Sequence, residues 1–153
     1  MNLTSRAALR TDVMGAEGFR QFPYFDCCGK PYKSCTCAKR GKLTIGYGRN
    51  LDDVGLSKLE GEVLLDHDLH TAEMNAGKAF DWFAACSELR QRAVVELCFN
   101  LGIVGFKGFR QTIAAIKAKQ YVAASLNLLD SLWAKQVGET RSQRIARYLR
   151  DGE

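Results

Sequence analysis

The stretch that decides the fold begins with Ala16-Glu17-Gly18-Phe19-Arg20, continues through Pro23-Tyr24-Phe25-Asp26, and closes on Leu43-Thr44-Ile45-Gly46-Tyr47-Gly48. A helical pattern over residues 4–17 precedes Gly18, which places Glu17 in the last helical turn. The second and third segments alternate apolar and polar residues and predict strands of a small sheet. We therefore expect two acids, Glu17 and Asp26, and the Thr44 hydroxyl to meet in one cleft.

Two carboxylates in different surroundings can act as acid and base around a glycosidic bond. Glu17 has small and apolar neighbours, so we expect a partly apolar pocket that keeps it protonated as a general acid. Asp26 lies beside polar loop residues and would stay ionised, while Thr44 could hold the attacking water with it. Gly46 and Gly48 allow the backbone to turn tightly or to approach a sugar. The alternative is a surface pair of acids beside an ordinary hairpin.

The helices outside this stretch have recognisable boundaries. The first can be capped by Thr4 or Ser5, and Ser57 with Glu60 has capping-box spacing at the start of a helix over 57–80. Apolar residues on that helix form one stripe at spacings of four and three: Leu65, Leu69, Ala72, Ala76 and Ala79. The stripe predicts a long helix that buries one side.

The last third of the chain is predicted to be entirely helical. Ser87 can cap a helix that ends at Gly102, and residues 93–101 are apolar on nearly all sides, which favours a central position. Three shorter helices are expected near 107–118, 121–130 and 140–150, with Trp133 in a connection.

These elements predict an α+β fold in a single domain over residues 1–153. Its parts are a sheet lobe over 18–55 with a cysteine-rich insert over 27–42, a connecting helix over 57–80, and a helical lobe over 81–153. A chain of 153 residues can bury a core of its own.

Charge is distributed unevenly along the chain, which carries a net charge of +5. A basic chain suits a polyanionic partner such as nucleic acid, anionic lipid or a cell wall, although a solvated basic surface explains the charge equally well. The N-terminus lacks the apolar run of a secretory signal. We expect the protein to stay in the cytoplasm unless something else releases it.

The combination of Glu17, Asp26 and Thr44-Ile45-Gly46-Tyr47-Gly48 resembles the phage-type lysozymes of glycoside hydrolase family 24, the T-even and lambdoid endolysins. The resemblance implies a lysozyme-like fold and makes these three residues catalytic. One departure stands out, because the family's usual loop between the Asp and the Thr is far shorter than the seventeen residues found here.

The resemblance continues through the helical region. It makes Phe99, Thr112 and Asn127 candidate substrate contacts, although the apolar neighbours of Phe99 favour a core position for this residue. A segment from Trp133 to Arg144 resembles a Trp-containing signature of the family but is one residue longer. Arg141 is then the expected partner that orients Glu17, with Arg144 as the alternative.

The chain has six cysteines, four of which lie in the insert: Cys27, Cys28, Cys35 and Cys37. Disulfides formed after release, a bound zinc ion and free thiols all remain open for these four. Cys86 and Cys98 are too far apart along one helix to pair and are expected to be buried. His67 and His70 are expected on a solvated helix face, and we assign no metal and no cofactor.

The resemblance implies an endolysin muramidase that cuts the β-1,4 bond between N-acetylmuramic acid and N-acetylglucosamine in peptidoglycan. It implies a monomer that a holin pore lets out of the host cytoplasm to reach the wall. Alternatives are a lytic transglycosylase and a catalytically inactive domain that only binds wall glycan. A nucleic-acid binder is disfavoured because basic and aromatic residues do not interleave.

Overall fold

The structure, a computed structural model, describes residues 1–152 and confirms the α+β class. A three-stranded antiparallel sheet and seven α-helices occupy the described residues. In chain order these elements are α1 Leu3–Glu17, β1 Arg20–Phe25, β2 Leu43–Gly46, β3 Arg49–Asn50, α2 Lys58–Ala79, α3 Glu88–Lys107, α4 Arg110–Lys117, α5 Tyr121–Leu129, α6 Leu132–Val137 and α7 Glu139–Asp151.

The chain divides into two compact units, one from Met1 to Gly61 and one from Glu62 onward. The division falls within α2, near the start of the predicted connecting helix over 57–80. The first unit holds α1 as well as the sheet, so it is larger than the predicted sheet lobe over 18–55. The single-domain assignment over 1–153 stays a prediction, and Glu153 lies outside the described residues.

The N-cap of helix α1 lies earlier in the chain than expected. The Asn2 side chain accepts a hydrogen bond of 2.8 Å from the Ser5 amide, so Asn2 is the N-cap and the prediction of Thr4 or Ser5 is wrong. Gly18 ends the helix with a φ of 66°, as predicted, and its N–H donates to the Met14 carbonyl. Glu17 is therefore the last helical residue.

The sheet has the strand order β1-β2-β3, with Tyr24 opposite Thr44 and Phe25 opposite Leu43. The register is irregular between Arg20 and Tyr24, where Pro23 has no N–H to donate to the ladder. The sequence did not predict β3.

Helix α2 carries the predicted capping box. The Ser57 amide donates to Glu60 Oε2 at 2.8 Å, and the Glu60 amide donates to Ser57 Oγ at 3.3 Å. Only part of the predicted stripe is buried, because Ala72 and Ala76 are covered while Leu65 is 43% exposed. The prediction that Leu65 lies on a buried stripe is wrong.

The second unit contains the apolar core. Its largest fully buried side chains are Val94, Leu97, Phe106, Ile116, Leu128, Ile145 and Leu149. Helix α7 packs against α3, α5 and α6 within this unit. Val94 and Leu97 in α3 confirm that this helix supplies the core, but Phe99 and Asn100 on the same helix are exposed.

One expectation about the second unit is confirmed and another needs correction. Gly102 adopts non-helical angles (φ 68°, ψ 158°) and ends the first helical segment of α3, as predicted, while a second segment, which was not predicted, continues to Lys107. Trp133 lies in the six-residue helix α6 rather than in a connection, and it is buried. Ser131 caps α6 by accepting from the Ala134 amide at 3.2 Å.

None of the helices in the described part of the chain combines the length and the apolarity needed to cross a membrane.

Candidate active site

Asp26 and Thr44 are joined through the main chain of one residue, Lys42. Asp26 follows directly after β1, and its amide donates to the Lys42 carbonyl at 3.1 Å. In return the Lys42 amide donates to Asp26 Oδ1 at 2.8 Å, and Thr44 Oγ1 donates to the Lys42 carbonyl at 3.2 Å. The Asp26 carboxylate and the Thr44 hydroxyl therefore both form hydrogen bonds with the main chain of Lys42.

The two groups differ in exposure. Thr44 is 5% exposed, whereas the Asp26 side chain is exposed to solvent. A buried hydroxyl that bonds to a backbone carbonyl has a fixed direction, while its oxygen lone pairs remain able to accept a hydrogen bond. The Thr44 oxygen can thus still accept a hydrogen bond from another donor.

The side chain of Lys42 turns away from this pair toward Asp53. Lys42 Nζ lies 2.6 Å from Asp53 Oδ1, and the hydrogen bond and charge of Asp53 raise the pKa of Lys42, with Asp52 and Asp26 adding to the effect. The same contact lowers the pKa of Asp53. Asp52 Oδ2 accepts from the Leu43 amide at 2.9 Å and holds the start of β2. Carboxylates therefore fix both the side chain and the following amide of Lys42.

Glu17 lies against the turn that follows β2. A Cβ atom added to Gly48 would stand 3.2 Å from Glu17 Oε2, and Gly48 has a φ of 82° that side chains rarely adopt. We expected the glycine to permit a close approach to a sugar, and the close neighbour present is the Glu17 carboxylate itself. Glu17 is exposed, so the predicted partly apolar pocket around it is not found.

An aromatic pair lies close in sequence to these residues, since Phe19 follows Glu17 by two positions and Tyr47 directly precedes Gly48. The rings of Phe19 and Tyr47 have centroids 5.4 Å apart, and both side chains are exposed. Tyr47 also lines a cavity of about 340 Å³ together with Leu9, Val13 and Met14 of α1. Exposed rings of this kind can stack on the apolar face of a sugar. The sequence analysis missed Phe19 and Tyr47 as site residues, although each adjoins a quoted motif residue.

Gly41 is a second residue that the sequence analysis missed. A Cβ atom at this position would overlap Asp26 Oδ1 and lie 2.6 Å from the Cys27 amide nitrogen. Only a residue without a side chain lets Lys42 reach the Asp26 carboxylate. A glycine in a polar loop does not indicate this role in the sequence. The clash of an added side chain with Asp26 arises only because Asp26 and Lys42 pair across the insert.

The four cysteines of the insert come together. All four Sγ atoms lie within 4.8 Å of one another, with Cys27 Sγ 3.9 Å from Cys28 Sγ and 3.7 Å from Cys35 Sγ. No disulfide joins them in this structure, and hydrogen bonds with the other three raise the pKa of the Cys37 thiol to about 12. Within the described residues, this is the cluster whose donor atoms suit a metal ion.

The other two cysteines lie in the second unit. Cys98 is buried, as predicted, and burial raises its pKa to about 11. Cys86 is only half-buried, which corrects the prediction, and its thiol donates to the Trp82 carbonyl at 3.6 Å.

Two of the predicted substrate contacts share a cavity in the second unit. Thr112 and Asn127 both line a space of about 470 Å³, together with Phe109, Gln111 and Ser131. Phe99 lies elsewhere, beside a smaller space of about 230 Å³ lined by Thr71 and Asn75. It is 41% exposed, so the core alternative for Phe99 is wrong and its ring is available to a ligand.

Arg141 and Arg144 converge on a third residue of the second unit. Arg141 Nε lies 2.9 Å and Arg144 Nη2 2.7 Å from Glu96 Oε1. Both guanidinium groups thus share one carboxylate, and sequence reasoning did not identify Glu96. The expectation that Arg141, or else Arg144, orients Glu17 stays a prediction.

The comparison with known protein families agrees with this geometry. A family model described as phage lysozyme matches residues 15–147, which include every candidate catalytic and substrate-binding residue named above. The match covers the α1 end, the sheet, the insert and the helices through most of α7. The chain accordingly belongs to the phage lysozyme family, whose members are lysozyme-type peptidoglycan hydrolases.

Proposed function

We propose that this protein is an endolysin muramidase, a glycoside hydrolase that cleaves the β-1,4 bond between N-acetylmuramic acid and N-acetylglucosamine in bacterial peptidoglycan. The observation that carries the proposal is the joint attachment of Asp26 and Thr44 to the main chain of Lys42. Such an arrangement gives a carboxylate and a hydroxyl one fixed relation, which the positioning of a water molecule requires.

Glu17 would act as the general acid. A carboxylic acid can give its proton to the glycosidic oxygen as the bond to the sugar breaks, which removes the need to expel an alkoxide. The position of Glu17 beside Gly48, at the far end of β2 from Lys42, leaves the Asp26 and Thr44 pair as a separate group. The two carboxylates would then serve opposite faces of the sugar.

Asp26 and Thr44 would direct the water. The Thr44 proton is engaged by the Lys42 carbonyl, so its oxygen can accept one water hydrogen. The second hydrogen would point to Asp26, which takes up the proton as the water oxygen attacks the anomeric carbon. Attack on the face opposite to the leaving group inverts the configuration of that carbon.

The second unit would supply contacts to the glycan. Thr112 and Asn127 offer a hydroxyl and an amide on one cavity, and Phe99 offers an exposed ring. Arg141, with Arg144 as the alternative, is proposed to orient Glu17. No cofactor or nucleic acid enters this reaction.

In its host the enzyme would act as a monomer that degrades the wall and causes lysis. It would wait in the cytoplasm and reach the periplasm and the wall through a holin pore. Regional charge supports an attraction to the wall, since residues 107–153 contain nine Lys and Arg against four Asp and Glu, a net +5.

The test compares the wild type with Glu17→Gln on bacteria whose outer membrane has been removed. Loss of the acid proton should reduce the rate of turbidity loss by roughly 10² to 10⁴-fold while thermal unfolding stays unchanged. Glu73→Gln, a matched change at an exposed position of α2, should lyse like the wild type. More than about a tenth of the activity left in Glu17→Gln would assign the acid elsewhere.

Product analysis separates the two chemistries. A muramidase leaves a free reducing end on N-acetylmuramic acid, whereas a lytic transglycosylase leaves an anhydro sugar. Anhydro products from the wild type would replace the hydrolytic mechanism. Binding to peptidoglycan without either product would leave the chain as a glycan-binding domain.

A further inference from the structure

The insert over residues 27–42 takes part in the hydrolysis described above only through Gly41 and Lys42 at its end. It is sixteen residues long, and its regular structure is one 3₁₀ turn over Tyr32–Ser34 and an isolated bridge from Pro31 to Tyr24. No residue of the insert is buried, and all sixteen belong to the described part of the chain. A loop of this length without apolar packing needs another source of order.

The four thiols of the insert lie close enough together to ligate a single ion. Zinc binds thiolates at about 2.3 Å in tetrahedral sites, which puts neighbouring sulfurs about 3.8 Å apart. The measured separations are 3.9 Å for Cys27 to Cys28 and 3.7 Å for Cys27 to Cys35, and no sulfur in the cluster is more than 4.8 Å from another. We propose that Cys27, Cys28, Cys35 and Cys37 form a structural zinc site.

The closeness of all four sulfurs distinguishes zinc from two disulfides. Two disulfides need only two short sulfur–sulfur distances, and the two pairs have no reason to approach each other. A single ion needs all six distances to be short together, as they are here. The spacing of the cysteines is unusual for zinc, which favours two to four residues between paired ligands. The turn after Asp26 removes this objection, because it turns the adjacent Cys27 and Cys28 side chains to the same cluster.

The charges of the insert suit such a complex. Binding converts four thiols and one Zn²⁺ into a complex of four thiolates and releases four protons to solvent, so the complex carries two negative charges. Residues 27–42 contain five basic side chains and no Asp or Glu: Lys30, Lys33, Lys39, Arg40 and Lys42. Lys42 pairs with Asp53, and four neutral thiols would give the other four cations no counter-charge within the insert.

The site would lie beside the proposed catalytic residues. Cys27 follows Asp26 directly, and the insert ends at Lys42, whose main chain binds Asp26 and Thr44. Zinc would therefore order the chain from Cys27 to Cys37.

The experiment measures metal and thiols on the full chain. Protein purified without reductant or chelator should contain about one zinc per chain by plasma mass spectrometry, and six thiols should react once the protein is denatured with a chelator. The reduced, metal-stripped chain should take up zinc to a sharp end point at one equivalent. Co²⁺ in its place should give the visible absorption of tetrahedral thiolate ligation.

Variants locate the ion. Cys37→Ser should lose the end point and the cobalt bands, while Cys86→Ser, which changes a half-buried cysteine of the second unit, should keep both. Two reactive thiols and no zinc in the purified chain would mean disulfides and overturn the site. No uptake by the reduced wild type, or loss of the ion in Cys86→Ser as well, would overturn it too.

Discussion

Replacement of Gly41 by alanine tests the joint attachment of Asp26 and Thr44 more sharply than removal of either side chain. The added methyl group would overlap Asp26 Oδ1 and stand 3.0 Å from Asp26 Cγ. Every group proposed for catalysis would still be present in this variant. Its activity therefore reports on the position of the Asp26 carboxylate and of the adjoining Cys27 backbone, whose nitrogen would lie 2.6 Å from the methyl group.

The size of the effect follows from the overlap. To restore an ordinary contact, the carboxylate must move by at least about 1 Å, and a misplacement of that size can cost on the order of 10²-fold in rate. The movement also breaks the bond of 2.8 Å from the Lys42 amide. Overpacking of this kind destabilises by about 1–3 kcal/mol, with the lower end expected here because Asp26 is exposed.

The assay is the rate of turbidity loss of stripped cells, measured together with thermal unfolding. Gly61→Ala is the matched control, since a Cβ atom there meets nothing within 4 Å, and we expect full activity and a slight gain in stability from helix propensity. If Gly41→Ala kept its unfolding temperature and more than half of the wild-type rate, the position of Asp26 would not govern the reaction.

Substitutions at three further residues probe other parts of the structure. Thr44→Val should lower the rate on the order of 10²-fold because the water loses its acceptor, whereas Thr44→Ser should retain most of the lysis rate. Ser57 and Arg49 hold the pKa of Glu60 at about 2, below its usual 4.5, so its contribution to stability is complete above pH 4.5 and is lost toward pH 2. Glu60→Gln should thus lower the unfolding temperature at neutral pH, by a difference that shrinks across that interval in calorimetric scans. Phe106→Ala should cost about 3–5 kcal/mol in denaturant unfolding, since this ring is fully buried.

The features that were predictable from sequence depend on contacts within a few residues. The capping box of Ser57 and Glu60 spans three residues, and Gly18 stops α1 through its own backbone freedom. Such signals do not require knowledge of how distant segments pair. They were sufficient for the α+β class and for the placement of Glu17 at a helix end.

The incorrect predictions have physical causes. Asn2, Thr4 and Ser5 can all cap a helix, and the periodic pattern does not decide among them. Helix α6 is six residues long, too short for an apolar period to appear, so Trp133 was assigned to a connection. Leu65 follows the spacing of the stripe, but spacing does not show where the packing partner of a helix ends.

Sequence patterns could not predict the role of Lys42, because this role depends on a contact between residues far apart in the chain. Asp26 and Lys42 are sixteen residues apart, and they pair because the register of β1 and β2 continues one step past Phe25 and Leu43. A register is fixed by the whole sheet rather than by the two residues concerned. The same pairing explains why Gly41 is needed and why the insert can be long without displacing Thr44 from Asp26.

An insert between two proposed catalytic residues is tolerable only if movement of the insert does not displace them. Two hydrogen bonds close the insert at its base, one between the backbones of Asp26 and Lys42 and one from the Lys42 amide to the Asp26 carboxylate, so that residues 27–41 form a loop with fixed ends. The cost of closing a loop grows only slowly with its length, which lets the insert exceed the family's usual size. Closure at the base fixes where the insert begins and ends, but it does not order the chain between, where no residue is buried. A metal ion at Cys27, Cys28, Cys35 and Cys37 would order this part of the chain, starting one residue after Asp26. The long insert, which departs from the family pattern, would then help to hold the proposed catalytic pair in place.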